Sequence, residues 1–170
     1  KILTYGLVGE ADVTNVTFPF QTKLIGEFNK YNTLAAVSVC QSLDIAPEVI
    51  RDAITSFTPP QGRTEIVHEG DFTIMIDFAH TPNSIVQVLK TVKTEIMKKG
   101  KIIHVFGSAG DRDRMKRKEM GKASASYADS IILTAEDPRS ESVGDINAEI
   151  LVGIREVVKE KNKTIAIENI

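Results

Sequence analysis

At 170 residues, with 42% hydrophobic and 26% charged side chains, the chain can bury a sizeable core in one or two domains. A formal net charge of −2 argues against general affinity for nucleic acid or membrane surfaces, so basic clusters must be read locally. No apolar run approaches the roughly 18 residues of a membrane helix. The single cysteine, Cys40, excludes an internal disulfide and fits a reducing compartment.

The chain opens without Met inside a strand-like run, "KILTYGLV", and closes on another, "KNKTIAIENI". Both ends fall within elements, so the expectation is a piece of a longer chain. Apolar residues at helical spacing (Leu34, Val37, Leu43) predict a helix over 32–43, with Cys40 on it as a small buried hydrophobe. "APEVIRDAITSF" predicts a second helix with Pro47 in its first turn. "TPPQGR" holds the one Pro-Pro of the sequence and predicts a domain boundary near Pro59 to Gly62.

Beyond it the pattern alternates. "TEIVHEGDFTIMIDFA" reads as two strands around Gly70 and Asp71. "TPNSIVQVLKTVKTEIMKKG" reads as a helix capped by Thr81, with Pro82 in its first turn and Gly100 at its stop. "KIIHVFG" is a strand, "MGKASASYA" a helix, "SIILTA" a strand, "DINAEILVGIREVVKE" a helix and "KTIAI" a last strand. Such alternation predicts an α/β fold whose mostly parallel sheet is covered on both faces. In such sheets ligands bind beyond the carboxyl ends of the strands. Three charged stretches lie there, "DFAHTP", "GSAGDRDR" and "AEDPRSE", and one edge is expected to collect them.

In "FGSAGDRDRMKR" the glycines permit a tight turn before a helix. The spacing matches neither G-x-G-x-x-G nor a P-loop. Of the cations Arg112, Arg114, Lys116, Arg117, Lys118 and Lys122, most are expected on a solvated helix face. Arg112 lies in the turn between Asp111 and Asp113. Two readings stand for it: a solvated turn residue, or a guanidinium fork held by its neighbours for a carboxylate or phosphate. Asp77 and His80, just past a strand, form either a plain strand-end turn or a contact to ribose and phosphate. "TAEDPRSE" is either a charged turn or a zwitterion site, with Arg139 for a carboxylate and Glu136 or Asp137 for an ammonium. His68 and His104 lack partners at metal-site spacing, so no metal site is expected among these residues.

Taken together, "GEFNKYNTLAA" (26–36), "GRTE" (62–65), "DFAHTPNS" (77–84), "VFGSAGDRDRMKRKEMG" (105–121) and "EDPRSE" (136–141) resemble the Mur ligases, and among them the MurE type, UDP-N-acetylmuramoyl-tripeptide synthetase. The resemblance implies a Rossmann-like C-terminal domain over 59–170, truncated, preceded over 1–58 by the helical tail of a central ATPase domain. The uridine-binding domain, the phosphate loop with its magnesium ligands and a final Gly-Lys-Gly-His-Glu segment have no counterpart here, and the stretch from Gly9 to Val16 looks short against the family.

The implied reaction is ATP-dependent amide ligation. The terminal carboxylate of UDP-N-acetylmuramoyl-L-alanyl-D-glutamate becomes an acyl phosphate, which a third amino acid attacks. By resemblance Asn29, Asn32, Arg63, Asp77 and His80 contact ATP, and Arg112, Glu136, Asp137 and Arg139 contact the incoming amino acid. Lys116 and Arg117 are left to field and support, and no catalytic residue is assigned within these residues. The cofactors implied are ATP and Mg2+. The partners are the UDP-muramoyl-dipeptide and a free amino acid, with neither nucleic acid nor membrane, in a monomeric parent of the bacterial cytoplasm.

Where the family's diaminopimelate-adding enzymes carry Asp-Asn-Pro-Arg, this chain has Glu136-Asp137-Pro138-Arg139. Retention of the arginine favours meso-diaminopimelate. An ionised Asp137 repels a carboxylate and suits the ammonium of lysine. Diaminopimelate stands slightly ahead. A related ligase with another amino acid, or an inactive binding fragment, are the alternatives.

Overall fold

The computed structural model describes residues 2–96, 99–162 and 164–169. They form two compact units, 1–78 and 79–170. In the first, helix α1 spans Glu27–Ser42 and α2 spans Pro47–Ser56. Gly26, with φ 93°, opens α1, so the helix begins a turn ahead of the apolar spacing that predicts it. Pro47 starts α2, where its missing N–H costs nothing. Leu34 and Val37 of α1 and Ile50 of α2 close on Val13 and Phe18 as the unit's core, with Cys40 half-buried beside them. Among the described residues the opening run makes one isolated bridge, Tyr5 to Val13, and not the expected strand.

Strands β1 (Glu65–Glu69) and β2 (Thr73–Ile76) form an antiparallel hairpin around Gly70 and Asp71, as their alternation requires. The hairpin is a two-stranded sheet of its own rather than part of the parallel sheet.

In the second unit α3 (Pro82–Thr91) starts from a reciprocal cap, Thr81 with Ser84, and continues as a π-helical turn over Val92–Ile96. Its expected end falls partly on residues 97 and 98, outside the described residues. Then follow β3 (Ile103–Phe106), α4 (Met115–Tyr127), β4 (Ser130–Leu133), α5 (Val143–Lys161) and β5 (Ala166–Asn169). The order β3-β4-β5 is parallel throughout, with His104 beside Ile131 and Phe106 beside Leu133. Successive right-handed crossovers that step in one direction put their helices on one side. Accordingly His104, Phe106, Ile131 and Leu133 face the helices, whereas Ile103 and Val105 on the other face are 64% and 54% exposed. The expected cover on both faces is therefore corrected to one.

Helices α4 and α5 cross closely. A Cβ on Gly153 would overlap the Lys118 carbonyl of α4, so only glycine permits this approach. Ile146, Ile150, Ile154 and Val157 of α5 are buried in the core, each contributing about 1.5–3 kcal/mol.

Candidate functional site

The second unit's site is made where the loops following β3 and β4 meet. Parallel neighbours end side by side, so Gly107–Arg112 and Thr134–Glu141 run together. Thr134 N donates to Phe106 O at 3.1 Å, and Gly110 N to Asp137 O at 3.0 Å. A side chain at Gly110 would collide with the Pro138 carbonyl. Asp111 N donates to Glu141 Oε1 at 2.6 Å, and the Asp111 carboxylate accepts from Ser140 N at 3.2 Å and Ser140 Oγ at 2.8 Å.

Beneath this junction lies Arg117, with no exposed surface. Its Nη1 donates to Glu141 Oε2 at 2.8 Å and Glu149 Oε2 at 3.0 Å. Its Nη2 donates to Glu141 Oε1 at 2.8 Å and Ala109 O at 3.1 Å. Arg114 pairs with Glu149, and Lys118 and Lys122 with Glu156. The Arg117 guanidinium, helped by the Asp111 N–H, holds the Glu141 carboxyl down at about 2. Glu149 is lowered as well, through Arg114 first and then Arg117. Thus Arg114, Lys118 and Lys122 form ion pairs on a solvated face, as expected for most of the cations, whereas Arg117 is enclosed. Arg117 is the residue the sequence reading undervalued, and helical spacing from Met115 puts it on one stripe with buried Met120, Gly121 and Ser124.

Arg112 is exposed and has no hydrogen bond or ion pair among the described residues. Its flanking aspartates do not hold it. Asp111 binds Ser140, and Asp113 Oδ1 accepts from Met115 N at 3.0 Å at the start of α4. Arg139 Nε donates to Asp137 Oδ2 at 3.3 Å. Glu136, half-buried, abuts Gly107. His80 is exposed, and its carbonyl accepts from Lys116 Nζ at 2.9 Å. His104 Nδ1 bonds Ser124 Oγ at 2.8 Å beside stacked Phe106, and burial pushes its imidazole down to about 4.

In the first unit, Asp77 Oδ2 accepts from Thr64 N at 2.8 Å, and Arg63 lies over the Phe78 ring at 4.8 Å. Arg63 keeps its guanidinium N–H groups unpaired among the described residues. Asn29 turns its amide back to Ile25 O at 2.7 Å, while exposed Asn32, on the same helix face, borders a hollow of about 410 Å³ between α1 and α2. Of the six non-glycine residues with positive φ among the described residues, four are Thr64, Asp111, Asp137 and Arg139, so backbone strain concentrates in the candidate loops. Among the described residues no three His, Cys, Asp or Glu side chains gather as a metal ion requires. His68 is exposed, its ring 4.6 Å from that of Phe72.

Residues 62–170 match the family model of the Mur ligase glutamate ligase domain. The chain belongs to the Mur ligase family. A UDP-N-acetylmuramoyl-L-alanyl-D-glutamate–2,6-diaminopimelate ligase of Aquifex aeolicus is 40% identical over 97% of this Mur ligase chain and 36% of its own length. A solved structure of a ligase of the same name is 28% identical, with a TM-score of 0.52, over 99% of this chain and 42% of that one. MurF from Acinetobacter baumannii, 16% identical, shares the fold with a TM-score of 0.67 over 99% of this chain and 43% of its own. The chain thus spans about a third of the length of the curated relatives it matches.

Proposed function

We propose that the chain is the end of the central domain (1–58) and most of the C-terminal domain (59–170) of an ATP-dependent ligase. The enzyme adds the third amino acid to UDP-N-acetylmuramoyl-L-alanyl-D-glutamate in the cytoplasm, as a monomer. The observation that supports this most is the meeting of the β3 and β4 loops. It sets Arg112, unpaired among the described residues, beside Asp111, and Arg139 beside the Ser140 that Asp111 holds.

In this reading ATP phosphorylates the terminal carboxylate, releasing ADP. The amine of the incoming amino acid attacks the acyl carbon, phosphate leaves with the bonding pair, and the amine proton passes to solvent or a base. The chain's part is positioning and charge stabilisation. Asp77 keeps Oδ1 for a ribose hydroxyl once Oδ2 has taken Thr64 N. Arg63 offers its donors to the nucleotide, Asn29 and Asn32 belong to the adenine end, and His80 to the phosphates. Magnesium would supply charge neutralisation at the phosphates when bound, with its ligands mostly outside these residues.

Arg112 and Arg139 hold the amino acid's carboxylates. Glu136 stands near its ammonium, as Asp137 would were it not paired. The Arg139–Asp137 contact speaks for meso-diaminopimelate over L-lysine, because Asp137 spends its charge on orienting Arg139 and Nη1 and Nη2 remain for a bidentate carboxylate. The test is mass analysis of the product made by the full-length enzyme from ATP, magnesium, the UDP-dipeptide and each amino acid. A product heavier by one diaminopimelate residue is expected. A lysine product reassigns the amino acid, and no product with either contradicts the proposal.

A further inference from the structure

We infer that Arg117 and Glu141 are positioning residues for the amino-acid site: their enclosed ion pair joins the β3 and β4 loops and thereby sets Arg112 and Arg139. The inference rests on the ligase reading above. Arg117 has no exposed surface, so it touches no substrate. A purely structural tie between α4 and α5 would need only Glu149. The same guanidinium instead reaches Ala109 O in one loop and both oxygens of Glu141 at the end of the other.

Glu141 then passes the constraint on by accepting from Asp111 N, and Asp111 passes it to Ser140. Arg117, Glu141, Asp111 and Ser140 form a chain of bonds whose last two members immediately flank Arg112 and Arg139 in sequence. Asp111 and Arg139 hold φ of 51° and 52°, conformations that a loose loop of non-glycine residues rarely keeps. Glu141 stays ionised through the whole working range of pH, with its carboxyl held at about 2 by Arg117 and the Asp111 N–H. A bidentate guanidinium–carboxylate pair fixes direction as well as distance, which a lysine at 117 would not reproduce.

The test measures the amino-acid KM, the ATP KM and kcat of the full-length enzyme. Glu141→Gln turns an acceptor facing Arg117 into a donor. It is expected to raise the amino-acid KM about tenfold with the ATP KM within about twofold of the unsubstituted enzyme. Residues acting through one another are non-additive, so in an Arg139→Ala background the same change is expected to cost about threefold or less. Should Glu141→Gln fail to fold by near-ultraviolet circular dichroism, Ser140→Ala tests the outer link. It is expected to raise the amino-acid KM about threefold at unchanged ATP KM.

Equal rises in both KM values, a full effect persisting in the Arg139→Ala background, or an unchanged amino-acid KM in Ser140→Ala would overturn the inference. Absence of any amino-acid dependence in the unsubstituted enzyme is a different result. It would sink the ligase reading and this inference with it.

Discussion

The two candidate binding regions are held in different ways. At the end of β2, among the described residues, Asp77 has one backbone partner, Thr64 N, and Arg63 rests on an aromatic ring with its donors unspent. At the ends of β3 and β4, an enclosed guanidinium binds four oxygen contacts, and the loops above it exchange further bonds. The first arrangement leaves the candidate binding groups adjustable. The second fixes the frame and, among the described residues, leaves Arg112 and the Arg139 Nη groups without partners within it. A nucleotide brings many contacts of its own, whereas choosing between two amino acids depends on donor placement to a fraction of an ångström.

The largest expected consequence is at Arg117. Replacing it by Met leaves Glu141 and Glu149 without their buried partner and should destabilise the second unit by about 3–5 kcal/mol. Hydrogen exchange at the amides of 102–158 reads this directly, and protection like that of the unsubstituted chain would erase the contrast between the regions.

His104 sharpens it through pH. Its folded pKa, about 4, lies below the ordinary 6.5, so the folded state binds fewer protons between those values. The stability it contributes is full above 6.5 and falls as pH drops to 4, by about 3 kcal/mol in all. His104→Gln should remove this slope in urea unfolding followed across that range. Glu141 adds a separate window: its depressed pKa contributes stability above about 4.5 that is lost as pH falls toward 2.

Smaller effects are expected in the first region. Asp77→Ala leaves the Thr64 N–H unpaired and should cost about 1 kcal/mol. Arg63→Ala should cost less, about 0.5 kcal/mol, the worth of an exposed cation–π contact. A loss at Arg63 as large as that at Arg117 would show that both regions are equally built in.

The elements that local chemistry defines were readable in the sequence. Thr81-Pro82 marks the start of α3 because the cap and the proline both act within one turn, and the hairpin shows in its alternation around Gly70. The meeting of "GSAGDRDR" and "AEDPRSE" was readable too, since adjacent parallel strands end together. What escaped depends on distant partners. Nothing near Arg117 announces Glu141 or Glu149, which follow 24 and 32 residues later. Taking α4 from Met120 rather than Met115 hid the stripe that places Arg117 inside. The expected two-sided cover failed because the hairpin stays a sheet of its own and both crossovers step the same way, and which sheet a strand joins has no local signature.

The most direct test is the amino-acid dependence of phosphate release by the full-length enzyme, compared with its Arg139→Ala variant at saturating ATP and UDP-dipeptide. Stimulation by meso-diaminopimelate is expected in the unsubstituted enzyme. In the variant the amino-acid KM is expected to rise about a hundredfold, the loss of a charge-assisted pair, with the ATP KM unchanged. Equal amino-acid KM values in the two enzymes would contradict a carboxylate-holding role for Arg139.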